Sequence, residues 1–158
     1  PYFCELTALY WAWKNLDCSH LGLCHYRRYF ASNSWILGST DKRHRILYTP
    51  AFEKVLSEYD VIVPKKRNYW IETVRSHYEH AHYKRDLDTL EEILCERAPD
   101  YKSSFSAIMA QRSLSLYNMF VMSKRNADRY CEWLFDLLFT LSSRIDVSGH
   151  DPYNQRVY

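Results

Sequence analysis

Cys4–Phe30 reads CELTALYWAWKN, LDCS and HLGLCHYRRYF. Leu6, Leu9, Tyr10 and Trp13 recur at the spacing of one helix face, which predicts an amphipathic helix. After a turn carrying Asp17 and Ser19, Leu21-Gly22-Leu23-Cys24 is small or apolar on both parities. That is the pattern of a strand covered on both faces. The apolar run stops at His25-Tyr26-Arg27-Arg28-Tyr29. Two arginines at the end of a buried strand are costly unless an anion meets them. In open α/β sheets, ligands bind beyond the carboxyl ends of the strands. The expectation is an anion site, phosphate first, at His25, Tyr26, Arg27 and Arg28. Arg27 and Arg28 differ in strand parity, so one of them faces the ligand. The ordinary alternative is a surface arginine pair.

The same pattern returns once. Thr49 as N-cap and Pro50 at the first helical position start a helix with Phe52, Val55, Leu56 and Tyr59 on its apolar face. Asp60-Val61-Ile62-Val63-Pro64 is then a short β-branched strand, and it too opens into positive charge, Lys65-Lys66-Arg67. Two strands ending in cations are expected where both carboxyl ends line one anionic ligand, Lys65 included. The stretch between them, 31–48, reads as a polar loop over the strand end.

Helices are expected at 86–97, 102–112 and 124–143, the last capped by Ser123, and a less regular one within 68–84. Leu114–Met122 reads as a strand with Asn118 in its middle. Strands alternating with helices give an α/β fold with parallel pairs, in a single domain over residues 1–158.

Bulk composition narrows the classes. The chain has 158 residues, 47% hydrophobic and 25% charged, so it can bury a core. A net charge of +2 disfavours nucleic-acid binding. Three glycines leave no Gly-rich phosphate loop, so a phosphate must be met by side chains. Five widely spaced cysteines fit reduced, partly buried thiols in the cytoplasm, with Cys24 and Cys131 inside apolar runs. No apolar run reaches membrane-span length.

Aromatics make up 16% of the chain. Tyr10, Trp13, Tyr59, Tyr130 and Trp133 fall at core spacing. Tyr26, Tyr29, Trp70 and Tyr78 are left as ligand contacts, since sugar rings present apolar C–H faces to aromatic platforms. His77 and His80 share a helix face and His82 does not, and there is no HExxH, so zinc hydrolysis is disfavoured. His77 and His82 instead suit bonds to a sugar hydroxyl or phosphate, or a structural role. Asp151, within Ser148-Gly149-His150-Asp151-Pro152, is a candidate general base. It is equally a good N-cap ahead of a proline. Cys24 and His25 are strand neighbours of opposite parity and cannot form a nucleophilic dyad.

Taken together, ELTALYWAWKN, GLCHYRRYF, YDVIVPKKRNYWIET, HYEHAH, NMFVM, YCEWLFDLLF and SGHDPYNQRV resemble a bacterial family of capsular and exopolysaccharide biosynthesis. Its defining module, long described as a domain of unknown function, is regarded as a glycosyltransferase domain related to the GT-A fold. The resemblance covers essentially the whole chain. It implies a GT-A-like nucleotide-sugar-binding sheet flanked by helices, truncated at both ends: the family's opening strand would precede Pro1 and its closing segment would follow Tyr158. It also implies transfer of a sugar from a nucleotide-sugar donor to a lipid-linked or oligosaccharide acceptor. The expected setting is the cytoplasm, at the inner face of the plasma membrane, with peripheral membrane association through the acceptor.

GT-A transferases generally carry a metal-binding Asp-x-Asp at a strand end. Here that place reads His25-Tyr26-Arg27-Arg28, without Asp. Fixed cations can neutralise a leaving diphosphate, so no cofactor is expected, though a divalent metal stays open. Arg27, Arg28 and Lys65 would then hold the donor diphosphate, with His25 and Tyr26 orienting it. Asp151, and after it His77 and His82, would serve the acceptor hydroxyl. Tyr78, Asn118 and Arg156 would line the acceptor side. The competing class is a non-catalytic carbohydrate- or nucleotide-binding module.

Overall fold

The computed structural model describes residues 3–32 and 42–156. Its elements, in order, are α1 (Glu5–Asn15), β1 (His20–Leu23), α2 (Thr49–Leu56), β2 (Val61–Ile62) and β3 (Arg67–Asn68). There follow α3 (Val74–Ala81), α4 (Lys84–Arg97), α5 (Lys102–Ala110), β4 (Ser113–Leu114), β5 (Phe120–Ser123) and α6 (Lys124–Arg144). The chain forms two compact units. One takes α1, Lys66–Leu114 and the chain from Asp128 onward; the other takes Asp17–Lys65 and Ser115–Ala127.

The first unit is mainly helical. Ile93, Leu94, Leu137 and Leu141 are its buried centre, with Leu90, Phe105, Trp133 and Ile145 packed around them. These residues recur three and four apart on α4 and α6, so each helix turns one stripe inward. α1 lays its aromatic face on α6: Tyr10 meets Phe135 edge-on at 4.9 Å and Trp13 stacks on Phe135 at 5.9 Å. Trp13 Nε1 donates to Asp128 Oδ1 at 3.0 Å, which satisfies the indole as its ring is covered.

In the second unit, β5 is the central strand of a three-stranded sheet of order β1-β5-β2. The expected parallel pairs are not there: β1 and β2 both run antiparallel to β5, and β3 pairs antiparallel with β4. The expected strand Leu114–Met122 is also broken. Tyr117 and Asn118 both have positive φ, 75° and 52°. Two successive left-handed residues cannot continue a strand. They separate β4 from β5 and turn the chain.

Leu21 pairs with Met122 and both are buried, whereas Gly22 pairs with Val121 on the opposite face. β1 is therefore covered on one face, not two. Its other face opens on a cavity of about 380 Å³ beneath Phe52 and Leu56 of α2, a helix with no buried residue. Tyr59 is 63% exposed, so it is not core. Cys24 is exposed too, while Cys131 is buried as expected. α2 takes Tyr48 as its N-cap, and Thr49 is already helical. The helix at 124–144 does start on Ser123, whose Oγ accepts from Asn126 N at 3.3 Å. Half of the expected loop at 31–48, residues 33–41, lies outside the described residues; Ala31 bridges Ile46 antiparallel.

Candidate functional site

Beyond β1 the chain leaves extended geometry. Arg28 N donates to His25 O at 3.1 Å, closing a turn over residues 25–28. Strand parity therefore does not decide which arginine faces a ligand; the turn does. His25 Nδ1 lies within reach of Arg27 N (3.2 Å) and Arg28 Nη1 (3.3 Å). Both are donors, so Nδ1 accepts, and in the neutral ring Nε2 carries the proton. Arg28 also lies over the Tyr117 ring, 3.9 Å from its centroid. The half-buried Arg28 side chain is thus held from two sides. Arg27 instead lies over the ring of Tyr26, 4.9 Å away, and Tyr26 itself is 75% exposed.

Arg28 and Lys65 line one cavity of about 480 Å³, with Tyr29, Tyr117, Ile62 and Met119 among its walls. Among the described residues, no aspartate or glutamate lines it. Among the described residues, neither cation has a carboxylate partner. The structure thus brings together Arg28 and Lys65, positions His25 behind Arg28, and leaves Arg27 and Tyr26 off the cavity wall. Asn118 follows Tyr117 in the left-handed turn and is exposed.

The remaining candidates belong to the first unit. Glu72 accepts from His77 Nδ1 at 2.8 Å and from His80 Nδ1 at 2.5 Å. These bonds, His77 first, hold the Glu72 carboxyl below its ordinary range. His77 also stacks on Tyr69 at 4.2 Å. His82 is elsewhere: its ring stacks on Tyr153 at 5.3 Å and tilts against Tyr78 at 4.7 Å.

His82 Nδ1 lies 2.8 Å from Asn154 Oδ1, and Asn154 Nδ2 donates to Asp151 Oδ2 at 2.6 Å. Asp151 Oδ1 accepts from Tyr153 N and Asn154 N at 2.9 and 3.2 Å. Asp151 is thus a cap, with both oxygens engaged. Its carboxyl is held below the ordinary range, mainly by the Asn154 side chain. The structure joins Asp151, Asn154, His82 and Tyr78 into one cluster and keeps His77 apart from it. The side chain of Arg156 lies outside the described residues.

Other groups gave no signal in the sequence. His150 Nε2 donates to Asp86 Oδ2 at 2.7 Å, both side chains being almost wholly buried. Arg85 Nη2 lies 3.2 Å from His150 Nδ1; a guanidinium can only donate, so Nε2 carries the ring proton. Tyr78 lies in the field of the Asp86 charge, and burial first, then that charge, pushes its phenol up to about 12. Sixty-four positions separate Asp86 from His150, and nothing in the local pattern of either names its partner. Tyr117 could have been found: an Asn after an aromatic, amid an apolar run, is a turn signal.

A family model described as "Domain of unknown function (DUF4422)" matches residues 1–158. No curated protein matches the chain. Among solved structures, the apo structure of WbbM, a bifunctional glycosyltransferase, is similar to it with a TM-score of 0.78 at 27% identity. That likeness covers 98% of this chain and 30% of the other. The mixed α/β architecture is thus similar to that of a segment of this larger structure, of which the chain spans under a third.

Proposed function

The chain belongs to the DUF4422 family, a domain of unknown function, and on that premise we propose that it binds the nucleotide-sugar donor of a glycosyltransferase. The observation that carries the reading is the 480 Å³ cavity holding Arg28 and Lys65, with no acidic lining residue among the described ones. Two cations on one cavity wall with no carboxylate between them favour an anionic ligand, to which they give charge-assisted hydrogen bonds. Aromatic and aliphatic walls suit a base or sugar face, and the two cations suit a diphosphate.

In the transfer, the bond from the donor's anomeric carbon to the diphosphate oxygen breaks, and a bond to the acceptor hydroxyl oxygen forms. The acceptor's proton passes to a base. The electron pair stays on the diphosphate, where Arg28 and Lys65 meet the developing charge. The donor set at this strand end suits an anion rather than a divalent cation. The transfer is therefore proposed to run without metal. Within the first unit, taken by itself, the His82 ring keeps an open acceptor and Asp151 does not. Its Nδ1–H donates to Asn154, leaving Nε2 with a lone pair, while both Asp151 oxygens are committed. The acceptor is proposed to be a growing cell-surface glycan of capsule, exopolysaccharide or O-antigen type.

The test is donor hydrolysis and transfer with and without EDTA, for the wild type and for Arg28→Ala, Lys65→Ala and Arg27→Ala. Loss of nucleoside-diphosphate binding in the first two, with Arg27→Ala little changed, supports the reading. Unchanged binding in Arg28→Ala, or activity that EDTA abolishes and Mn²⁺ restores, sinks it. The engaged Asp151 favours a second reading, a binding module without turnover. Tight nucleotide binding with no transfer by the full protein would select it.

A further inference from the structure

Residues 69–72 are the turn that leads from β3 into α3 in the first unit. β3 and β4 pair through Arg67↔Leu114 and Asn68↔Ser113, and Tyr69 N donates to Arg112 O at 2.7 Å. Ile71 N then donates back to Tyr69 O at 2.8 Å. This closes a three-residue turn with Trp70 at its centre, at φ 62°. A γ-turn of that sign is rare and strained, more so for an aromatic residue. It is held by two further bonds: Asn68 Oδ1 accepts from Trp70 N at 2.9 Å, and Arg112 Nη1 donates to Trp70 O at 3.4 Å.

The strained turn displays apolar surface. Trp70 is 78% and Ile71 86% exposed, the highest values for large hydrophobic side chains among the described residues. Around them Lys66, Arg67 and Arg112 are exposed. Among the described residues none of the three pairs with a carboxylate: Lys66 reaches Gln111, Arg67 lies over Tyr69, and Arg112 holds the Trp70 carbonyl. The next carboxylate along the chain, Glu72, is taken by His77 and His80.

We propose that this tip docks the chain on an anionic lipid surface. Trp70 and Ile71 enter the boundary between headgroups and acyl chains, and Lys66, Arg67 and Arg112 meet the lipid phosphates. Indole is favoured at that depth, and clustered cations are drawn to anionic leaflets. A carbohydrate platform explains the tip less well. An aliphatic Ile71 gives a sugar ring nothing to stack on, and Glu72, the acid beside the tip, is already bonded to His77 and His80. The inference does not rest on the donor-site reading, and its test needs no sugar transfer.

The experiment is flotation of the chain with vesicles of phosphatidylglycerol and phosphatidylcholine in equal parts, against phosphatidylcholine alone. Wild type is expected to float with the anionic vesicles only, and less so at high salt. Replacing both Trp70 and Ile71 by Ser lowers binding about tenfold or more, and Arg67→Ala about fivefold. Trp70→Gly separates display from folding, because glycine accepts positive φ without strain. It is expected to raise the melting temperature while lowering vesicle binding. The proposal is overturned if wild type fails to bind anionic vesicles or binds phosphatidylcholine equally. It is also overturned if Trp70→Gly floats like wild type, or loses affinity for a soluble glycan while keeping vesicle binding.

Discussion

The guanidinium carbon of Arg28 lies 3.9 Å from the centre of the Tyr117 ring. The ring fixes the plane of the guanidinium, and His25 Nδ1 fixes one edge of it at 3.3 Å. A planar cation held this way loses little freedom when it meets a phosphate. Tyr117→Ala is expected to weaken nucleoside-diphosphate binding about tenfold, through loss of a desolvated cation–π contact. Tyr117→Phe, which keeps the ring, is expected to bind like wild type. Arg28→Lys does not restore affinity, because an ammonium neither stacks nor bridges two oxygens. Titration calorimetry with the nucleoside diphosphate checks all three.

The pair formed by Asp86 and His150 is expected to set stability rather than binding. Removing Asp86 leaves the His150 Nε2–H without its acceptor, and removing His150 leaves Asp86 with Arg85 at 3.6 Å; a buried polar group left short of a partner costs about 1–3 kcal/mol. Asp86→Ala and His150→Ala should each lower the unfolding free energy from urea melts by about that much. Replacing both residues by Leu should recover part of the loss. Equal losses for the double and single variants would contradict a coupled pair.

Tyr78 predicts an alkaline transition. Its phenol is pushed up to about 12 by burial and by the Asp86 charge, while in the unfolded chain it titrates near pH 10. The unfolded state therefore loses its proton first as pH rises, so stability falls between about pH 10 and 12. Tyr78→Phe should flatten the stability curve there. Ultraviolet titration should also lose one late-ionising tyrosine.

At the acid end the sign is opposite. Asp136 is held below its ordinary range by the Arg97 side chain, Glu96 by Arg144, and Glu72 by His77 and then His80. Depressed carboxyls contribute stability that is complete at neutral pH and is lost as pH falls below the ordinary carboxylate range, about pH 4. Asp136→Asn should lower neutral-pH stability slightly, since the pair is half exposed. It should also make the acid limb shallower. Urea melts over a pH series measure both.

Ile93 is fully buried at the centre of the helical unit. Ile93→Ala is expected to cost about 2–5 kcal/mol. The same change at Ile108, 39% exposed on α5, should cost far less. Thermal melts compare the two.

What the sequence made legible follows from the range of the forces. α1, α4, α5 and α6 are long, and their apolar spacing repeats two or three times, so local pattern locates them. Lys65 and Arg28 stand out in the sequence because charge after an apolar run is a local anomaly. Strand direction was not legible, because the pairs form between strands tens of residues apart and strand composition does not encode direction. Arg27 and Arg28 could not be ranked while the segment was taken as a strand; a backbone turn sends Arg28 onto Tyr117 and Arg27 onto Tyr26. The pairing of Asp86 with His150 is long-range and side chain to side chain, so neither residue's neighbours carry a trace of it.

The turn at Tyr117 and Asn118 also sets how the chain can vary. Backbone energy at position 117 favours glycine, since φ is 75°. Only an aromatic ring, however, lies under Arg28. A library randomised there and sorted for thermal tolerance should enrich glycine, whereas one sorted for nucleotide capture should enrich tyrosine and phenylalanine. At position 118 both sorts should converge on asparagine, aspartate and glycine. One codon would then respond to which selection is applied, and its neighbour would not.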